Sequence, residues 1–238
     1  MNGDGHRDLM VPVPAGGKWK APDGDQRIAV IYGSPKGLVP AARTLYGRRD
    51  LGLPDSPADR PAASADSVSA ADVVSADLDS DGYPDFITAV MGKDVEATTG
   101  EGRLVVSRTA PYVTWGGPAG PRSGREATPV QLSDDVSTLG VQGPVTRGDF
   151  DGDGHHDIAA LSRESSLVVM YGPFTRFGAP ARTEKGRAGK GSLAADDIAP
   201  SGQRATSLLL RGESDGEQSS NTLFSHQQIM DLKSAGQM

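Results

Sequence analysis

Aspartate residues are concentrated in short segments whose spacing suits a bound cation. One segment carries Asp77, Asp79, Asp81 and Asp85 within nine residues, at its positions 1, 3, 5 and 9. If the chain coils around one centre, positions 1, 3 and 5 point inward, and their carboxylates repel one another unless a cation lies there. Carboxylate oxygens suit Ca²⁺, with its about six to eight oxygen ligands, better than Mg²⁺, which loses its water reluctantly.

The same spacing returns later in the chain. The later segment places its four aspartates identically, as Asp149, Asp151, Asp153 and Asp157. An incomplete copy lies at the start of the chain, between Asn2 and Asp8, and a degenerate copy begins at Asp197. We call residues 2–8 the first loop, 77–85 the second loop and 149–157 the third loop. Their recurrence predicts a repeat protein.

The second loop also has the turn chemistry that a wrapped cation site requires. Gly82 at position 6 permits a sharp turn, and the carbonyl group of Tyr83 at position 7 can join the ligands. An EF-hand begins in the same way, but it needs a glutamate at position 12 and a helix on each side. Thr88 and Ala160 stand at that position, and both lie within short apolar runs typical of strands. These features argue against a cytosolic calcium sensor.

A second repeated element trails each loop. It is an apolar run that ends in an aromatic residue and a glycine, as in Tyr32-Gly33, Trp115-Gly116 and Tyr171-Gly172. Gly and Pro just beyond a β-branched run indicate a strand that turns tightly. With 31 glycines and 17 prolines in 238 residues, many turns separate short apolar runs, which predicts an all-β fold.

The repeats divide the chain into four predicted units. Their approximate bounds are 1–65, 66–135, 136–190 and 191–238, and the last unit is degenerate. Each unit is predicted to run strand, acidic loop, strand, hairpin, strand and turn. A polar stretch at about 47–65 is predicted to be a flexible insertion, and the similar composition of 183–192 and 211–221 predicts the same for those stretches.

Composition and charge exclude several classes of protein. A net charge of −7 and a pI near 5.1 argue against a nucleic-acid binder, which normally presents a basic face. The chain has no cysteine, which excludes disulfides, thiolate catalysis and cysteine-ligated zinc. No apolar stretch approaches the roughly 20 residues of a membrane-spanning helix.

Two short motifs suggest other functions, but each is weaker evidence than the acidic loops. Arg147-Gly148-Asp149 is a tripeptide that integrins bind as a ligand, but Asp149 is here the expected first residue of a cation loop. The neighbouring pair His155-His156 could suggest zinc, but no third ligand is evident in the sequence.

The acidic loops and the aromatic–glycine strands together resemble FG-GAP repeats, the units of the integrin α β-propeller and of many secreted bacterial proteins. The resemblance covers nearly the whole chain. It implies that each acidic loop lies between the first two strands of a propeller blade and binds calcium. The implied calcium ligands, with position 7 acting through its carbonyl group, are Asp77, Asp79, Asp81, Tyr83 and Asp85; Asp149, Asp151, Asp153, His155 and Asp157; and Asn2, Asp4, His6 and Asp8.

The chain departs from this family in two ways. The family propeller usually has seven blades, whereas this chain holds about four, which predicts an incomplete ring. The first loop lacks its position 1, because Met1 stands at position 2. We therefore expect a truncated or mis-assigned start, with a signal peptide encoded upstream.

The resemblance implies a secreted or cell-surface module that binds calcium and an extracellular protein or glycan, as in adhesion, and that is not an enzyme. The alternative is a secreted polysaccharide lyase or hydrolase on the same scaffold. That alternative requires a catalytic base outside the calcium loops, and the sequence nominates none.

Overall fold

The structure is a computed structural model. It describes residues 4–14, 26–55, 68, 72–99, 102–121, 125–133, 136, 140–195, 205–212 and 221–230. Over these residues the protein is all-β, with four antiparallel sheets that follow one another along the chain. Its helical elements within the described ranges are a 3-10 turn at Pro40–Ala42 and the short helix α1 at His226–Met230. None of the described helices is long and apolar enough to cross a membrane.

Each sheet is a meander in which strands that are neighbours in the chain pair side by side. Sheet 1 contains β1 (Leu9–Pro14), β2 (Gln26–Ile31) and β3 (Thr44–Tyr46). Sheet 2 contains β4 (Val73–Ala76), β5 (Asp85–Thr99), β6 (Gly102–Thr114) and β7 (Thr128–Pro129). Sheet 3 contains β8 (Val141–Gly148), β9 (Asp157–Ser162), β10 (Ser166–Tyr171) and β11 (Arg182–Arg187). Sheet 4 contains β12 (Gly191–Ala195), β13 (Leu208–Gly212) and β14 (Asn221–Phe224).

The acidic loops connect the first two strands of sheets 2 and 3. The second loop joins β4 to β5, and the third loop joins β8 to β9. The short apolar runs after the loops form strands, as their composition predicts. The strands of each sheet also fall within one of the four predicted units, although the division into domains stays a prediction.

The sheets stack face to face, with one core between each pair of neighbours. Successive residues of a strand point to opposite faces, so one strand can contribute to two cores. In β5, Phe86 packs into a core shared with sheet 1, whereas Ile87 packs into a core shared with sheet 3. In β9, Ile158 faces sheet 2, and Ala159 belongs to a third core that includes Leu208 of sheet 4. Sheets 2 and 3 therefore bury both faces.

Two stretches that were predicted to be flexible contain ordered structure. The prediction for 183–192 is wrong, because β11 and β12 occupy most of it. β11 is an edge strand that needs no apolar period, since its backbone pairs with β10 and its charged side chains reach partners such as Glu164. In the other stretch, Leu51 and Leu53 are buried in the core between sheets 1 and 2. Residues 56–65 lie outside the described residues.

The stacked cores should dominate stability. Ile158→Ala removes a fully buried side chain from the core between sheets 2 and 3. We expect it to lower the free energy of unfolding by about 2–5 kcal/mol, measured by denaturant titration. Leu223→Ala, at a side chain that is 60% exposed, is the matched control and should change it by less than about 0.5 kcal/mol. Equal effects of the two substitutions would contradict this packing.

Candidate functional site

Carboxylate groups converge in both complete loops. In the second loop, Asp77, Asp79 and Asp85 each offer an oxygen, and these oxygens lie within 4.8 Å of one another. In the third loop the corresponding group is Asp149, Asp151 and Asp153, within the same limit. The structure thus brings together positions 1, 3 and 9 in one loop and positions 1, 3 and 5 in the other.

The three loops share one turn geometry at their positions 5 to 7. The aspartate at position 5 accepts a hydrogen bond from the backbone N–H of position 7 at 2.9 Å in each loop. The position-6 glycines have φ angles of +80°, +86° and +88° at Gly5, Gly82 and Gly154. Such angles are costly for residues with a Cβ atom, so glycine is required there. Asp4 and His6 take part in this turn, whereas Asn2 lies outside the described residues.

The aspartate at position 1 also shapes this turn, because it accepts hydrogen bonds from backbone N–H groups later in the loop. The carboxylate of Asp77 accepts hydrogen bonds from the N–H groups of Asp81 and Gly82, at 3.1 and 3.0 Å. The carboxylate of Asp149 likewise accepts one from Gly154 at 3.1 Å. These bonds curl the backbone around the carboxylates and fix where their oxygens point.

The aspartate at position 9 joins the loop to the aromatic–glycine element. Asp85 is fully buried and accepts hydrogen bonds from the N–H of Leu78, at 2.9 Å, and of Gly116, at 2.7 Å. Asp157 is also fully buried and accepts from Phe150, at 2.6 Å, and from Gly172, at 2.9 Å. The spacing of the aspartates predicted position 9 only as a cation ligand and gave no sign of this structural role.

The first loop makes the same connection, and in each loop it requires glycine. Asp8 accepts a hydrogen bond from the N–H of Gly33 at 2.8 Å. A Cβ atom on Gly33, Gly116 or Gly172 would lie 2.3–2.5 Å from the position-8 carbonyl oxygen of the facing loop. The two repeated elements of the sequence are therefore two sides of one contact.

Burial and crowding affect the ionisation of these carboxyl groups. Burial raises the pKa of Asp85 and of Asp157 to about 7, although the backbone N–H groups that donate to them act in the opposite direction. Carboxylates of the same loop raise these pKa values further, through Asp79 in one case and through Asp151 and Asp153 in the other. A nearby cation would favour the ionised forms.

Two arginines that the sequence analysis did not single out lie against the loops. Arg176 forms ion pairs with Asp79 and with Asp81, the latter at 2.6 Å. Arg182 pairs with Asp151 at 2.7 Å. No spacing rule connects either arginine to its loop, because the contacts depend on how the strands stack.

The histidine pair connects the two complete loops. The Nδ1 atom of His155 lies 2.7 Å from the Oγ atom of Ser80, and the Nδ1 atom of His156 lies 3.2 Å from the carbonyl oxygen of Asp77.

The side chains that converge within each complete loop are carboxylates, a donor set that fits Ca²⁺. Ligation by the carbonyl groups of Tyr83, His155 and His6 stays a prediction.

The position-9 contact should stabilise the protein without any metal. Asp157→Asn keeps the shape of the side chain but replaces one of two buried acceptors with an amide donor. In the presence of a chelator, we expect it to lower the free energy of unfolding by about 1.5–3 kcal/mol, measured by denaturant titration. Asp153→Asn in the same loop is exposed and keeps its acceptor oxygen, so its effect should stay within about 0.5 kcal/mol. A neutral Asp157→Asn would refute the structural role of position 9.

Comparisons with protein-family models, with curated proteins and with solved structures found no match for this chain. The resemblance to FG-GAP repeats therefore stays a prediction.

Proposed function

We propose that this chain is a calcium-binding repeat protein whose sheets are blades of a β-propeller in an incomplete ring. The observation that carries the proposal is the shared geometry of the acidic loops. Two of them gather three carboxylates within 4.8 Å, and all three have the same position-5 turn. One loop of this kind could be a solvated turn, but a turn that recurs with the same hydrogen bonds suits a common ligand.

The stacking of the sheets supports a propeller. Blades of a propeller are meanders that pack face to face, so that inner blades bury both faces. Sheets 2 and 3 have these properties, and their acidic loops join the first strand to the second. The blade interpretation explains why β9 is buried along its entire length.

Calcium would act structurally. Asp77, Asp79 and Asp85 in the second loop would hold one ion with hard oxygen donors, and the ion would neutralise their mutual repulsion. Because the ligands of each loop fall within nine consecutive residues, each ion clamps a local turn. Extracellular calcium modules have dissociation constants of roughly 10⁻⁴–10⁻³ M. At millimolar calcium, such affinities stabilise the folded state by roughly 0.4–1.4 kcal/mol per site.

We place this module outside the cell, either secreted or on the cell surface, where millimolar calcium would fill sites of that affinity. Its partner would be an extracellular protein or glycan, and its activity would be binding, as in adhesion, without catalysis. This part of the proposal rests on the resemblance to FG-GAP repeats and on the acidic net charge of −7.

Calorimetric titration tests the calcium proposal. We expect two calcium sites with dissociation constants of roughly 10⁻⁴–10⁻³ M. Asp77→Asn and Asp149→Asn should each remove one site, because each substitution removes a negative charge and a ligand from one loop.

Asp55→Asn supplies the matched control, since it removes an exposed carboxylate outside the loops and should leave two sites. The absence of calcium binding by the folded wild-type protein, or an unchanged site count in both loop variants, would refute the proposal.

A further inference from the structure

A guanidinium group lies against the carboxylates of the second loop, and it comes from a different sheet. Arg176 belongs to the connection between β10 and β11 of sheet 3, whereas the second loop belongs to sheet 2. Its Nε atom contacts Asp79, and its Nη2 atom lies 2.6 Å from Oδ2 of Asp81. The side chain of Asp79 is only 9% exposed, whereas that of Arg176 is 37% exposed, so the carboxylate end of this ion pair is the part that is shielded from water.

The same contact places Arg176 over a tryptophan. The Cζ atom of Arg176 lies 5.0 Å from the centre of the Trp115 ring, within the range of a cation–π interaction. Trp115 is the aromatic residue that precedes Gly116 in the repeated element of sheet 2. Arg176 is therefore held at the seam of two sheets by two carboxylates and one aromatic face.

The third loop has a related arrangement, which supplies a control. Arg182 pairs with Asp151 at 2.7 Å, and its Cζ atom lies 3.6 Å from the centre of the Tyr171 ring. Here all three residues belong to one unit, because β8 to β11 form sheet 3. The two arginines thus make similar contacts with two different loops, but only Arg176 connects two sheets.

We propose that Arg176 and Ca²⁺ compete for the carboxylates of the second loop, so that calcium releases the arginine from the seam between sheets 2 and 3. This inference rests on the proposed function. Asp79 is shared between the ion pair and the group of three converging carboxylates. A monovalent guanidinium within a few ångströms of a divalent ion repels it and lowers its affinity.

A cavity beside Arg176 can hold the released side chain. Arg176 lines a cavity of about 430 Å³ whose walls also include Trp115, Arg125, Glu126 and Thr128. The carboxylate of Glu126 offers a second partner in this cavity. A movement of the guanidinium within the cavity would change the surroundings of the Trp115 ring, which makes that ring a reporter.

The test isolates the second loop. In an Asp149→Asn background, which removes the third-loop site, Arg176→Gln should tighten calcium binding roughly five- to twentyfold in calorimetric titration at 0.15 M salt. Arg182→Gln in the same background removes an equal charge next to the other loop and should leave the affinity within about twofold, because exposed charges at a distance are screened. Arg176→Lys, which keeps the charge but not the forked geometry, should fall between wild type and Arg176→Gln.

Fluorescence supplies an independent readout. With Trp19→Phe, Trp115 is the only tryptophan, and its emission should change on calcium addition. The change should be absent in Arg176→Gln and retained in Arg182→Gln. Calcium binding with equal or weaker affinity in Arg176→Gln would overturn the competition but leave the proposed function intact. Absence of calcium binding in every variant would overturn both.

Discussion

A buried carboxylate that accepts two backbone N–H groups is the interaction on which the architecture of each complete unit depends. Asp85 and Asp157 each receive one N–H from the start of their own loop and one from the glycine at the end of a later strand. The carboxylate thereby fixes the loop, the strand that follows it and the next strand in one arrangement. Its burial raises the pKa of both groups to about 7, so the contact carries an electrostatic cost that packing and hydrogen bonds offset.

The loops fixed in this way lie where one sheet meets the next. The carbonyl oxygen of Leu78 in the second loop accepts a hydrogen bond from the N–H of Phe174, in the connection between β10 and β11 of sheet 3, at 2.7 Å. In the third loop, the carbonyl oxygen of Asp149 accepts a hydrogen bond from the N–H of Thr206 at 2.7 Å. The N–H of Asp149 donates to the Oγ1 atom of Thr206 at 2.9 Å. A cation in either loop would therefore act beside a seam between stacked sheets, and a local change there could alter how the sheets are held.

Local sequence patterns were sufficient to predict the all-β class and the strands after the acidic loops. They predicted four carboxylate ligands in each complete loop, of which three converge, without Asp81 in one loop and without Asp157 in the other. These features depend on residues close together in the chain, such as Asp77 and Asp79, and on the backbone freedom of Gly82. The ion pairs of Arg176 and Arg182 could not be predicted, because they depend on how strands pair and stack. β11 was missed for a related reason, since an edge strand held by backbone pairing to β10 shows no apolar period.

The most direct test of calcium binding by these loops is a crystal structure of the protein grown in millimolar calcium, with anomalous diffraction data. If these loops bind calcium, we expect one anomalous peak in the second loop and one in the third, each about 2.3–2.6 Å from several oxygen atoms of the loop. Each peak should lie among the converging oxygens of its loop, those of Asp77, Asp79 and Asp85 or those of Asp149, Asp151 and Asp153. Ordered loops without anomalous density, in crystals that contain calcium, would contradict the account.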